Sequence, residues 1–281
     1  MLQCIFALGA MAAEKPVVFV SIPPQVWLVK HLAGEAVEVQ TLLTPGANPH
    51  TFEPDARQVR KLSEATLFLT LGMPFELALV GRAGSLNASL RAVGMDAGIE
   101  KSTAAPHAHG SEAGHICGAG GDPHIWLSPR LMCAMASNTA AALSQMLPQQ
   151  RVALANNLQA TVREILAAEA AVRGKLALLR VKTWVVYHPS WNYFAKDFGL
   201  SLLVIEQDGK APAARHLAEV IGQARAAGVK VVFAERQYDR RPAQALAQQL
   251  GARLETIDPL QEDWPMLMRG VAEKLAGGDV R

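Results

Sequence analysis

Histidine is the residue type in this chain whose placement could support metal chemistry. Of its eight histidines, His31 and His216 fall in predicted helices, where we expect ordinary helix positions. His50, His124 and His188 instead stand beside proline at the ends of predicted elements, where a stiff backbone fixes their position. Any one of them alone could cap a helix or bond a carbonyl. Together they form a candidate ligand set.

Two carboxylates occupy comparable positions. Glu235 ends the apolar run KVVFAE, and Asp258 ends RLETID, directly before Pro259. Each has an ordinary alternative, because Asp-Pro often starts a turn and Glu235 could serve as an ion-pair partner.

Short apolar runs rich in β-branched residues alternate with helical patterns, which predicts an α/β fold with parallel sheets. One helical pattern, RPAQALAQQLGA, should stop at Gly251. The predicted strands cover residues 17–22, 37–43, 66–72, 184–188, 201–206, 230–235 and 253–258.

Residues 149–180 contain no proline and carry apolar residues at helical spacing. A helix of that length would span about 48 Å, which suits a rigid connection between two lobes. We therefore predict a first lobe over 14–148, a linking helix over 149–180 and a second lobe over 181–281. Within the first lobe, residues 104–123 lack apolar periodicity and predict a mobile loop.

The carboxyl ends of parallel strands meet at one edge of a sheet, and ligands bind there. His50 comes from the first predicted lobe, whereas His188, Glu235 and Asp258 come from the second. If the two edges face each other, these side chains converge in the cleft between the lobes.

The first 13 residues form an apolar run ending in small residues, which is typical of a secretory signal peptide. The missing basic start suggests that this is a remnant of the signal. We expect a periplasmic protein without a lipid anchor, because the residues before Cys4 make a poor lipidation motif. Cys117 and Cys133 could form a disulfide in an oxidising compartment, or Cys133 could be a buried thiol.

Composition narrows the possible partners. Half of the residues are hydrophobic and the formal net charge is +2, and no basic block with interleaved aromatic residues is present. A nucleic-acid partner is therefore not expected. Nor do we expect stable membrane insertion; we expect a monomer.

Four long segments carry the histidines and carboxylates described above. They read NPHTFEPDARQVRKLSEATLFLTLG, DPHIWLSPR, VVYHPSWNYFAKDFGL and KVVFAERQYDRRPAQALAQQLGARLETIDPL. In this order they resemble the characteristic segments of the zinc-type periplasmic solute-binding proteins of ABC transporters, the zinc and manganese receptor family. The resemblance covers nearly the whole chain after residue 13.

This resemblance implies two (β/α)4-like lobes joined by one long rigid helix, with Zn²⁺ held between them and passed to a membrane permease. The matching motifs place His50, His124 and His188 as ligands. Asp258 matches an aspartate that completes the site in many relatives, so the fourth position is Asp258 or water. Glu235 is the candidate for orienting a histidine ring.

Ligand chemistry favours zinc over manganese. Three imidazoles with at most one carboxylate suit Zn²⁺, whereas Mn²⁺ favours more carboxylate, and manganese-type relatives often have glutamate where His188 stands. The histidines of the predicted loop resemble the His-rich loop of zinc members, and they either collect Zn²⁺ or are chance residues of a solvated linker. They are His107, His109 and His115.

Other functions remain open from sequence alone. The same scaffold could carry Mn²⁺ or Fe²⁺, and three histidines with a water could serve a zinc hydrolase. No metalloprotease-type general base motif is present, so we expect a transport receptor and not an enzyme. A surface adhesin would need an anchor and an exposed binding patch, and the sequence shows neither.

Overall fold

The computed structural model describes residues 14–44, 46–102, 121–207 and 210–277. The predicted signal remnant 1–13 lies outside these ranges. The strands are β1 (Val17–Val20), β2 (Glu38–Thr41), β3 (Leu67–Thr70), β4 (Arg91–Gly94), β5 (Thr183–Val186), β6 (Ser201–Val204), β7 (Val231–Glu235) and β8 (Arg253–Ile257). The helices are α1 (Pro23–Ala33), α2 (Ala56–Ser63), α3 (Pro74–Leu86), α4 (Pro129–Met146), α5 (Arg151–Leu176), α6 (Asn192–Phe198), α7 (Ala214–Ala226), α8 (Arg240–Leu250) and α9 (Trp264–Gly277).

The eight strands form two parallel four-stranded sheets with the same order. The first is β2-β1-β3-β4 and the second is β6-β5-β7-β8. Helices connect successive strands, as parallel pairing requires. The predicted α/β architecture of two lobes with parallel sheets is confirmed, although the exact lobe limits stay a prediction.

Local sequence explains where several elements begin and end. The Asp55 carboxylate accepts the backbone N–H of Gln58 at 2.7 Å, which caps the start of α2. Helix α8 ends at Gly251 in the left-handed conformation with φ of 63°, so the predicted helix stop is confirmed. Strand β4 was missing from the predicted strands. It begins with the exposed pair Arg91 and Ala92 at the sheet edge, and it lacks the apolar run that marks the others.

The predicted long helix is present as α5, preceded by a 3-10 turn at Pro148–Gln150. Its 26 residues span about 39 Å, shorter than the predicted length because the helix ends at Leu176. It packs against α1 and α4 of the first lobe and against α9 from the end of the chain. The helix therefore packs one face against elements from both ends of the chain, and its other face is exposed.

The apolar core is shared between the lobes. One continuous cluster contains Val18 and Phe68 of the first sheet together with Trp184 and Phe233 of the second. A separate cluster fills the other face of the second sheet, under α7 and α8. Because successive residues of a strand point to opposite faces, Trp184 enters the shared cluster and Val185 the separate one.

Gly121, Asp122 and Pro123 were predicted to end a mobile loop, but they are buried. The rest of that predicted loop, 104–120, lies outside the described residues. A Cβ atom on Gly121, whose φ is +81°, would lie 2.9 Å from the Cβ of Lys101. Only glycine therefore fits this close approach without a shift.

Cys133 lies partly buried on α4, whereas Cys117 lies outside the described residues, so their pairing stays untested. Among the described residues, no helix has the length and apolar character needed to cross a membrane.

Candidate metal site

The candidate side chains lie at the sheet edge formed by the carboxyl ends of the strands. His188 stands two residues after β5, and His50 lies in the connection that follows β2. His124 directly precedes a 3-10 turn, Ile125–Leu127, that leads into α4. In open parallel sheets ligands bind at this edge, where the strand order reverses.

The structure brings the three histidines together between the lobes. One ring nitrogen from each of His50, His124 and His188 lies within 4.8 Å of the other two. The ring centroids of His50 and His188 are 4.5 Å apart, and the His124 centroid lies 5.6 Å and 5.2 Å from them, respectively. His124 and His188 are buried, and His50 is partly exposed.

This group fits a tetrahedral zinc ion. Bonds of roughly 2.0–2.1 Å place the ligand nitrogens about 3.4 Å apart in tetrahedral geometry. Since the nitrogens lie within 4.8 Å of one another, small side-chain rotations would bring all three to one ion.

The His124 ring is held by a carboxylate that sequence reasoning missed as a partner. Asp122 Oδ1 lies 2.7 Å from His124 Nδ1 and accepts the backbone N–H of His124 at 3.0 Å. This contact occupies Nδ1 and leaves Nε2 to bind a metal, which is the usual arrangement of a metal-binding imidazole. Burial raises the pKa of Asp122, but attraction to His124 and its hydrogen bonds outweigh burial, so the net pKa is lowered. The Asp-Pro-His spacing was the signal available in the sequence.

The His188 ring has a different carboxylate beside it, also missed from sequence. Glu206 Oε1 lies 2.8 Å from His188 Nδ1, and both side chains are buried. The oxygen stands off the line of the ring N–H, so the contact has the distance of an ion pair without the alignment of a hydrogen bond. Glu206 follows β6 and is the last residue of the predicted strand 201–206. No motif in the sequence marks it as the partner of a ligand.

Glu235, the predicted ring-orienting residue, contacts the backbone of His188 and not its ring. Its carboxylate accepts the His188 N–H at 3.3 Å, the Trp191 indole N–H at 2.8 Å and the Ser190 hydroxyl at 3.2 Å. It therefore fixes the turn after β5, and Glu206 takes the ring-facing place. Burial raises the pKa of Glu235 to about 8 against these hydrogen bonds.

The environment of the group lowers the pKa of two of its imidazoles, those of His50 and His188. Burial, followed by the neighbouring His188 and His124, lowers the pKa of His50 from 6.5 to about 2. Burial and then His124 lower the pKa of His188 well below 6.5. Neutral imidazole is the form that binds metal, so the lowered pKa values favour the metal-binding form of these two rings.

The sequence matches the family described as ZnuA, zinc-uptake complex component A, periplasmic, over residues 18–278. The chain belongs to the ZnuA family.

Solved structures with the same fold include a ZnuA protein and a manganese-bound protein. A zinc-bound crystal structure of a ZnuA deletion mutant shares 31% identity, with a TM-score of 0.86 over 95% of this chain and 99% of that one. A manganese-bound periplasmic metal binding protein from Candidatus Liberibacter asiaticus shares 18% identity, with a TM-score of 0.79 over 94% of this chain and 99% of that one. The second likeness concerns the fold alone.

A relative by sequence is the zinc-binding lipoprotein AdcA of Streptococcus pneumoniae, 26% identical over 242 residues. The match covers 83% of this chain and 47% of AdcA. The chain thus spans about half the length of that relative.

Asp258, the predicted fourth ligand of this ZnuA-family chain, is not a member of the histidine group among the described residues. Its Oδ1 accepts the Gln237 side-chain N–H at 2.7 Å and the Leu260 backbone N–H at 3.0 Å. The predicted loop ligands cannot be placed, because His107, His109 and His115 lie outside the described residues.

The two histidines expected in helices lie on α1 and α7. His31 Nδ1 lies 2.8 Å from the Trp27 carbonyl on α1. His216 Nε2 lies 3.1 Å from the Val204 carbonyl, which ties α7 to β6.

Proposed function

We propose that this chain is a periplasmic receptor that binds Zn²⁺ through His50, His124 and His188 and delivers it to an ABC permease. The observation that carries the proposal is the convergence of three histidine ring nitrogens from both lobes within 4.8 Å of one another. Membership of the ZnuA family and the zinc-bound relative support the same metal.

Zinc is favoured over manganese by the donor set. Three nitrogen ligands suit Zn²⁺, whereas Mn²⁺ favours oxygen ligands. The nearest carboxylates, Asp122 and Glu206, are committed to the His124 and His188 rings. The same pairing argues for a receptor and against a hydrolase, since neither carboxylate is positioned as a general base for a metal-bound water.

The central experiment is a zinc titration by competition with a chelator of known affinity. Replacing His188 by alanine removes one of three nitrogens and should lower the affinity by more than tenfold. His216→Ala is the matched control, because that imidazole lies on α7 and bonds a carbonyl of β6. If His188→Ala bound zinc as tightly as the control, the proposed site would be wrong.

Zinc should also raise the melting temperature of the protein, because a ligand that binds only the folded state stabilises it by mass action. Mn²⁺ at equal concentration should give a smaller shift. An equal or larger shift with Mn²⁺ would favour the manganese receptor.

The fourth ligand is Asp258 or water. Asp258→Asn keeps the shape of the side chain and its acceptor for Gln237 while removing the charge. A tenfold loss of affinity would place the Asp258 carboxylate on the ion, and an unchanged affinity would leave water there.

We also propose that the protein is a monomer located in the periplasm without a lipid anchor. Cell fractionation and labelling with a fatty acid test its location, since the AdcA relative is a lipoprotein. Zinc uptake by cells with and without the chain, at limiting external zinc, tests delivery.

A further inference from the structure

The segment that carries His124 is bonded to the second lobe, although the chain reaches it from the first sheet. Tyr193 of α6 donates its hydroxyl to the Asp122 carbonyl at 2.9 Å. The neighbouring Asn192 donates its side-chain N–H to Asp122 Oδ2 at 3.1 Å. Both residues therefore hold the same aspartate whose other oxygen faces the His124 ring.

The Tyr193 hydroxyl also joins the two chain segments that flank residues 103–120. It accepts the backbone N–H of Ser102 at 2.9 Å, and the Asp122 N–H donates to the Ser102 carbonyl at 2.9 Å. One phenol of the second lobe thus closes a three-membered hydrogen-bond ring at the base of the segment before His124.

Further contacts extend this attachment beyond His124. The Trp126 indole donates to the Pro259 carbonyl at 2.8 Å, and the Trp264 indole donates to the Trp126 carbonyl at 2.6 Å. The Ser128 hydroxyl donates to the Asp197 carboxylate of α6. Residues 122–128 are therefore bonded along their length to elements that follow β5.

The connection that carries His50 is tied to the first lobe. Within the connection, Asn48 Oδ1 accepts the His50 backbone N–H at 2.9 Å. The Gln58 side chain of α2 donates to the Leu42 carbonyl at 3.0 Å, which fixes the start of the connection. His50 therefore stands on a different support from the other two histidines.

We infer that Asn192 and Tyr193 are positioning residues that hold His124 through Asp122. His124 and His188 then form a preassembled pair on the second lobe, and His50 is the ligand gained or lost when the lobes move. The link is short, because α6 begins four residues after His188. A carboxylate that fixes the free nitrogen of a ligand imidazole sets the direction of its metal-binding nitrogen. A substitution that removes a hydrogen bond to Asp122 should therefore change zinc release only through its effect on His124.

The inference rests on the proposed zinc function and is tested by zinc release to an excess of chelator. Tyr193→Phe and Asn192→Ala should each speed release by about 3-fold to 10-fold, less than the ~10–100-fold typical of a direct partner of a ligand ring. Thr161→Val and Asn157→Ala are the controls, because they remove a hydroxyl and an amide that bond the backbone on α5 and α1. Melting temperatures of the zinc-free variants verify that each one folds.

A double-mutant cycle separates positioning from general loosening. In a His50→Ala background, Tyr193→Phe should still speed release by the same factor. In a His124→Ala background it should change release by less than about twofold, since the ring it positions is gone. Where release is too fast, affinity from direct titration replaces the rate.

Cobalt supplies a readout that a purely structural role would not move. The visible absorption of Co²⁺ in the site should shift in Tyr193→Phe and stay unchanged in Thr161→Val. The inference is overturned if both α6 variants release zinc like their controls, or if the effect of Tyr193→Phe is as large without His124 as with it. Failure of the unmodified chain to bind zinc would instead overturn the proposed function.

Discussion

The two lobes share one backbone frame but carry different residues at corresponding places. In the first lobe Leu42 and Leu43 donate to the carbonyls of Val20 and Ser21, the residues that end β1 and follow it. Ile22, the next residue, is fully buried.

In the second lobe the same two bonds run from Ile205 and Glu206 to the carbonyls of Val186 and Tyr187. His188 therefore corresponds to Ile22, and Glu206 corresponds to Leu43. One lobe packs an apolar pair where the other places an imidazole and a carboxylate. The frame folds with either pair, so the metal chemistry is carried by particular side chains on it and not by the fold.

A buried carboxylate is common to both lobes. Glu76, shortly after β3, accepts the N–H groups of Leu71 and Met73 at 3.0 Å and 2.8 Å and also the Ser21 hydroxyl. Glu235, at the end of β7, gathers the N–H groups of the turn that holds His188. Burial raises the pKa of both carboxyls. In each lobe the buried carboxylate holds loops at the strand ends. In the first lobe it does so although Ile22, and not a candidate metal ligand, stands at the position that corresponds to His188.

The largest effect should come from giving the second lobe the apolar pair of the first. The double variant His188→Ile, Glu206→Leu should lower zinc affinity by more than 100-fold, which titration measures. The zinc-free protein should be as stable or gain roughly 1–4 kcal/mol in urea unfolding, because replacing a buried imidazole and carboxylate by well-packed apolar side chains is often neutral or stabilising. A marked loss of stability would contradict the equivalence of the two frames.

Removing the charge beside the His188 ring should have the next largest effect. Glu206→Gln should lower zinc affinity by about 10–100-fold, the range for carboxylates that orient ligand histidines. Glu219→Gln, which removes an exposed carboxylate paired with Arg215 on α7, is the matched control. Equal affinities in a chelator competition would remove Glu206 from the site.

The histidines should also make the zinc-free protein sensitive to acid. The pKa values of His50 and His188 are lower in the folded chain than their ordinary 6.5. Below pH 6.5 the unfolded chain therefore binds protons that the folded chain does not, and stability is lost as pH falls. Urea midpoints between pH 7 and 5 should show this decline, and the double variant His188→Ile, Glu206→Leu should show a smaller one. An identical slope would contradict the burial of His188 as the cause.

The smallest effect is expected in the segment between β4 and His124. Replacing residues 105–118 by a short Gly-Ser link should change zinc affinity by less than about threefold, since the flanking segments are already joined by the Asp122 to Ser102 bond. A loss above tenfold would show that His107, His109 or His115 contributes to the tight site.

Sequence reasoning predicted the two-lobed α/β fold because apolar runs and helical spacing are local patterns. It also identified the three histidines, whose neighbouring prolines and matching motifs are visible in the chain. It missed Glu206 as the partner of His188, because the two residues lie far apart in the sequence and are brought together only by pairing of β5 with β6. Glu235 was predicted to orient a histidine ring, but it contacts the backbone of His188 instead. This contact too depends on strand pairing, which the sequence does not display.

The apolar cluster that runs through both sheets has a consequence for cooperativity. Two lobes with separate cores could melt independently, but here Trp184 and Phe68 belong to one continuous interior. The chain should therefore absorb heat in a single calorimetric transition, with equal calorimetric and van't Hoff enthalpies. Any opening that exchanges the cation must then be a small sliding of packed surfaces, because a wide hinge would expose this interior to water.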